Sequence, residues 1–167
     1  MTVKWSELVE ILNKIGDLYE KMIVLAEEKR DALVNVKVSE LNKIIEKEEA
    51  LIKEIESLEK ERIVLVDKIA KASDWPNDNI KLAFLIESAP EDFAPQMKQV
   101  GQRLADTVLK IATLNGINNN LLKQAMRVTE YNINILSQSK AMPFYESGGD
   151  YSGGKSNHGL SVFNQKA

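Results

Sequence analysis

The stretch Leu114-Asn115-Gly116-Ile117-Asn118-Asn119-Asn120-Leu121-Leu122 lies inside a run from about Phe93 to Leu136 in which apolar residues recur every three or four positions. Met97, Val100, Leu104, Val108, Ile111, Leu114, Leu121, Ala125, Val128 and Ile135 mark one stripe, the spacing of a single amphipathic helix roughly 65 Å long at 1.5 Å per residue. Such a helix is the spine of a bundle. Asn118 and Asn132 fall on the stripe where Leu is expected, and a buried amide destabilises unless it is paired. Either these amides set register or they meet a partner. Between Met97 and Ser139 the only charges are Lys98, Arg103, Asp106, Lys110, Lys123, Arg127 and Glu130, so much of the circumference is expected to be covered.

Upstream, Trp5, Leu8, Leu12, Ile15, Tyr19, Met22, Ala26 and Leu33 step by three and four, with a polar interruption at Lys29. A second row, Leu8, Ile11, Ile15, Leu18, Met22 and Leu25, widens the apolar face, as in a helix with more than one neighbour. The pattern falters at Val34-Asn35-Val36-Lys37-Val38, where Asn35 is the expected left-handed cap. From about Ser39 a second helix carries Leu41, Ile44, Leu51, Ile55, Leu58, Leu65, Ile69 and Ala72 on its seam, interrupted by Glu48 and Arg62. The short connection implies an antiparallel hairpin that brings Trp5 and Trp75 to the same end.

Ser73-Asp74-Trp75-Pro76-Asn77-Asp78-Asn79 reads as a helix stop. A short helix over about 78–88 is expected to bury Ile80, Phe84 and Leu85. Ser88-Ala89-Pro90-Glu91 has the form of a capping box, and Pro95 suits a first helical turn, which places the start of the long helix between Glu91 and Pro95. After Leu136 the period is lost and five glycines accumulate before Ala167, the composition of a flexible tail. Phe144, Tyr145, Tyr151 and Phe163 punctuate it as candidate anchors.

The fold class expected is all-α: a long antiparallel hairpin, a short helix and one long C-terminal helix in an elongated bundle. Its domain would be 1–138, with helices at about 4–34, 39–72, 78–88 and 92–138, and a disordered tail at 139–167. The 167 residues include no cysteine, which removes disulfides and thiolate metal sites and fits a cytoplasmic home. The net charge of -3 divides unevenly: residues 1–100 hold 21 acids and 15 bases, residues 101–167 hold 4 and 7. No dense basic stripe points to nucleic acid. No uninterrupted apolar run approaches the roughly 18 residues of a membrane span, and the first residues lack a signal-peptide core.

Catalytic chemistry is not expected. His158, the one histidine, stands in the tail among Lys155, Ser156, Asn157 and Gly159, away from any ligand set. Gly148-Gly149 and Gly153-Gly154 lack the Lys-Ser/Thr ending and following helix of a phosphate loop. No enzyme, cofactor or metal is therefore read from the chain.

Three segments carry a resemblance: Leu58-Glu59-x-x-Arg62, Leu114-Asn115-x-x-Asn118-x-x-Leu121-Leu122, and a tail ending in Phe163-x-x-Lys166-Ala167. In this order and spacing, over almost the whole chain, they resemble the FlgN family of flagellar type III export chaperones. Lys37, where an acidic helix start is usual, and Gly116 depart from that pattern. The resemblance implies a cytoplasmic chaperone that binds hook-filament junction proteins, keeps their terminal helices from assembling early and delivers them to the membrane export gate. It also implies that the client is held by the C-terminal part, with membrane contact only through export-gate proteins.

The residues alone lead to a vaguer place, a helical module for helical partners. A self-associating coiled-coil scaffold, with a homo-oligomer as its product, stays open beside it. Asn115 and Asn118, three residues apart, are expected to share a face, either as paired core amides or as client contacts. Beyond Leu121 a second apolar row, Leu122, Met126, Val128 or Thr129, Ile133 and Leu136, has no evident neighbour. Leu122, Met126, Ile133 and Leu136 are the expected groove, with Phe144, Tyr145, Tyr151 and Phe163 folding over a bound client helix.

Overall fold

A computed structural model describes residues 1–76 and 80–141, with side chains described as far as residue 138. All the regular structure among them is helical: α1 Thr2–Val34, α2 Val38–Ala72, α3 Leu82–Glu87 and α4 Ala94–Ala141. The chain divides into two compact units, Met1–Val128 and Thr129–Ala167.

In the first unit α1 and α2 form an antiparallel hairpin. Trp5 and Ile69 share one buried group, whereas Leu25, Ala32 and Ile44 share another nearer the turn. The Trp5 and Trp75 rings meet edge to face with centroids 6.4 Å apart, as the hairpin reading requires. The polar residues that interrupt the two seams answer one another: Lys29 Nζ lies 2.9 Å from Glu48 Oε2, with both side chains largely covered. Arg62 is held within α2, its Nη2 2.8 Å and its Nε 2.9 Å from Glu59 Oε2.

The turn between α1 and α2 closes as a Schellman motif, with Lys37 N–H donating to Ala32 O at 2.9 Å and Val36 N–H to Leu33 O at 3.4 Å. The left-handed residue is not Asn35, as its type suggested, but Val36, with φ 54°. Asn35 sits at φ −91° and uses its amide to donate to Asp31 O at 2.8 Å. A β-branched residue in this conformation costs about 1–2 kcal/mol. The same closure ends α2, where Asp74 takes φ 55° and Trp75 N–H donates to Ala70 O at 3.0 Å. Asp tolerates that geometry better than Val.

The main core occupies the end where α1 begins, α2 finishes and α3 and α4 lie close together. Trp5, Leu8, Leu12, Ile15, Leu65, Val66, Ile69, Leu85, Met97, Val100 and Leu104 form one buried group there. Leu85 is fully buried, and Ile80 is partly buried just before α3. Phe84, expected inside, is 41% exposed and lies edge-on to Trp75 at 4.9 Å instead. Six residues of helix turn only a narrow stripe inward, and Leu85 occupies it.

Ser88 caps the C-terminus of α3, so Ser88-x-x-Glu91 does not open the long helix. The lead-in is a turn in which Phe93 and Ala94 N–H both donate to Pro90 O at 2.8 Å. Pro95 then stands in the first turn of α4, where a missing N–H leaves no helical bond unmade.

Along α4 the inward positions are Met97, Val100, Leu104, Thr107, Ile111, Leu114, Asn118, Leu121 and Ala125, buried at first and half-buried toward the end. This alternating three-four step corrects the expected stripe at Val108, which is 50% exposed, and at Val128 and Ile135, which are 60% and 44% exposed. Thr107 takes the inward place because its hydroxyl is satisfied within the helix, 3.0 Å from the carbonyl oxygens of both Arg103 and Leu104.

Candidate functional site

The asparagine segment divides by helical geometry. Asn118 follows Leu114 by four residues on the inward row of α4, whereas Asn115, one residue beyond Leu114, is turned about 100° from it. Asn118 is 2% exposed, and its Nδ2 donates to Ala26 O at 2.9 Å. Asn115 is exposed, so the two asparagines stand in different surroundings, one in the core and one at the surface. Asn132, the other amide on the expected stripe, is exposed as well.

Ala26 is small enough to let the amide reach the α1 backbone, and Ile23 and Leu114 wall the site with apolar surface. Asn118 Oδ1 is buried without a hydrogen-bond partner among the described residues. Such an orphan acceptor costs about 1–3 kcal/mol. Of the two readings, the geometry is that of a register group, the part a lone polar seam residue plays in coiled coils.

A second polar feature holds α4 parallel to α1. Arg103 reaches across with Nη2 2.7 Å from Asp17 Oδ1 and Nε 2.8 Å from Glu20 Oε1. Gly16 makes room: a Cβ there would lie 3.1 Å from Arg103 Nη1 and 3.3 Å from its Cζ. Further along, Lys110 Nζ lies 3.3 Å from Glu27 Oε1. The hydrogen bond that Arg103 donates lowers the Glu20 carboxyl below its ordinary value, and its bonds to Glu20 and Asp17 raise the guanidinium. Sequence reasoning missed this clamp; its signal was a glycine inside a helix with no turn to explain it.

The remaining expected site residues lie on α4. In the first unit Leu122 is 42% and Met126 56% exposed; in the second, Ile133 and Leu136 are 57% and 60% exposed. Tyr131, not singled out from the sequence, is 66% exposed. Phe144, Tyr145, Tyr151 and Phe163 lie outside the described residues, as does His158.

Clefts among the described residues of the first unit include the following two. One, of about 540 Å³, is lined by Val9, Asn13, Gln96, Gln99, Val100 and Arg103. The other, about 280 Å³, lies at the α1–α2 turn among charged side chains including Asp31, Lys37 and Lys47. Among the described residues no group of three or more His, Cys, Asp or Glu is placed to hold a metal ion. No helix of those residues is long and apolar enough to cross a membrane. The chemistry on offer is apolar helix surface with amides beside it, suited to binding another helix.

The chain matches the family model described as FlgN protein over residues 1–153. It is similar to a protein of Bacillus subtilis (strain 168) described as "Uncharacterized protein YvyG", 26% identical over 129 residues that cover 77% of this chain and 78% of that one. No solved structure matches. All four helices fall inside the matched span, and the chain belongs to the FlgN family of flagellar export chaperones.

Proposed function

We propose that the protein binds the terminal helices of flagellar hook-filament junction proteins in the cytoplasm, prevents their premature assembly and hands them to the export gate. The observation that carries this reading is the exposure of large apolar side chains on α4, Leu122 and Met126 in the first unit and Ile133 in the second, on a helix with few charges. Apolar side chains at three- and four-residue spacing are what a client helix needs to lay its own stripe against. Met126 adapts to clients of different shape. Asn115, exposed on the same helix, supplies an amide at the edge of the contact. Phe144, Tyr145, Tyr151 and Phe163 close over the bound helix, and because ordering them costs entropy their removal lowers affinity only moderately.

The test compares the full chain with its Leu122→Asp and Ile133→Asp variants, titrated with the terminal helices of a junction protein. Both positions are exposed, so thermal midpoints should stay within the scatter of surface substitutions while affinity falls by about tenfold or more. Wild-type affinity in both variants would overturn the reading. Sedimentation separates it from the scaffold alternative, which requires concentration-dependent oligomers without a client.

A further inference from the structure

The fourth position of the bundle is filled at one end only. There α3 lies against the core shared by α1, α2 and α4, with Leu85 fully buried. Ile86 packs so near α4 that a Cβ on Gly101 would sit 2.4 Å from its Cδ1. Six residues of helix extend roughly 9 Å, far less than the helices beside them. Away from α3 the buried side chains separate: Ile23, Ala26 and Leu114 join α1 to α4, and Leu25, Ala32 and Ile44 join α1 to α2. Neither of these groups, among the described residues, joins α2 to α4.

Steps of seven residues keep to one side of a helix. From Gly101 along α4 they reach Val108, Asn115 and Leu122; from Val66 back along α2 they reach Glu59, Ile52 and Ile45. Gly101 and Val66 are buried at the α3 end. Val108 is 50%, Leu122 42%, Ile52 46% and Ile45 37% exposed. The two faces that are covered at the α3 end therefore continue beyond it, with Val108, Leu122, Ile52 and Ile45 uncovered and Asn115 and Glu59 as their polar members.

We infer that these faces seat an amphipathic helix from a partner protein, laid end to end with α3 between α2 and α4. The inference rests on the reading of this chain as a carrier of partner helices, and it adds a place and a chemistry. Continuity with the α3 seat sets the position. The run 108–122 spans roughly 21 Å at 1.5 Å per residue, about four turns. Charge sets the flanks: the α2 edge carries Glu49 and Glu56, whereas the α4 edge carries Ala112, Asn119 and Met126. The occupant has a Leu/Ile/Val stripe, Lys or Arg on the side toward α2, and uncharged residues toward α4. The chain's own residues 142–167, with five glycines, are poorly suited to that helix.

The probes are two synthetic helical peptides of roughly 18 residues, five turns, with one Leu/Ile heptad stripe and either Lys or Glu at the flanking positions. Titrated into the full chain by calorimetry, the Lys peptide should bind at least about tenfold tighter than the Glu peptide. Ile52→Glu and Val108→Glu, both at exposed positions, should each weaken the Lys peptide about tenfold with unchanged thermal midpoints, while Ile133→Asp leaves it unaffected. The seat shares Asn115, Leu122 and Met126 with the α4 surface proposed above, and that last arm separates the two, because Ile133 belongs to that surface alone and Ile52 and Val108 to the seat alone. Equal binding of the two peptides, or wild-type affinity in both Glu variants, would overturn the inference. So would a dimer that Ile52→Glu dissociates, which gives the seat to a second copy. Movement of the Ile52 and Val108 amide signals on Tyr151→Ala without peptide gives it to the chain's own C-terminal residues, with the same consequence.

Discussion

Gly101 and Gly116 stand on the same helix, fifteen residues apart, in opposite surroundings. Against Gly101 lies Ile86 of α3, close enough to forbid a Cβ without movement; around Gly116 there is nothing within 4 Å. The helix carries apolar residues at both places. What differs is whether a neighbour is there to cover them. Apolar period tells where a helix wants company, and only the rest of the chain decides whether that company is its own.

The contrast has consequences for stability. Leu85→Ala should cost about 3 kcal/mol in urea unfolding, because a fully buried side chain leaves a cavity at the point where α3 meets the core. Leu122→Ala, at 42% exposure, should move the midpoint far less. Equal losses at the two positions would break the distinction between covered and open ends.

The glycines give a second, smaller comparison. Gly101→Ala should stabilise less than a helix-interior Gly→Ala ordinarily does, or destabilise by up to about 1 kcal/mol, because the Ile86 Cδ1 must move aside, and Ile86→Val, which removes the colliding methyl, should return part of the loss. Gly116→Ala should stabilise by up to about 1 kcal/mol, since it improves helix propensity and meets nothing. Both are read from the same denaturation curves.

The two Schellman closures sharpen the comparison within the hairpin. Val36→Gly should raise stability by about 1 kcal/mol by relieving the left-handed β-branched residue. Asp74→Gly should gain less, as Asp already tolerates φ 55°.

The smallest expected effect is on pH dependence. Arg103 lowers the Glu20 carboxyl in the folded state, so its contribution is complete above the ordinary carboxylate range and is lost as pH falls through the lowered value. Glu20→Gln should make the acid limb of a stability–pH curve shallower, and salt should blunt the difference because the pair is exposed. Tyr19 runs the other way: burial, aided by the Glu59 charge, raises its hydroxyl. The stability it lends is complete below the ordinary tyrosine value and declines as pH rises past about 10. Tyr19→Phe should remove that alkaline decline.

Much of this was legible in the residues. The helical period, the turn at Val34–Val38 and the stop at Trp75-Pro76 are local signals, and they place all four helices. The hairpin followed from the short connection. What period could not decide was which of two adjacent rows turns inward on α4. Hydropathy favours Val108 over Thr107, yet the threonine hydroxyl finds acceptors in its own turn and can be buried. The separation of Asn115 from Asn118 follows from the same choice of row, since Leu114 and Asn118 turn inward together and Asn115 stands one residue off them. Nor did local type predict Val36 over Asn35 as the left-handed residue, because the closure is fixed by bonds back to Ala32 and Leu33. The outward-facing row of α4 was legible because it duplicates a stripe that one neighbour can cover only once.

The most direct test of the account is a methyl-resolved NMR spectrum of the full chain, labelled at Ile, Leu and Val, with and without the terminal helices of a junction protein. The account predicts shifts at Leu122 and Ile133, and at Ile52 and Val108 where the fourth seat is used, with Leu12, Ile69 and Leu85 unmoved. Shifts confined to those core methyls, with the exposed ones of α2 and α4 unchanged, would contradict it.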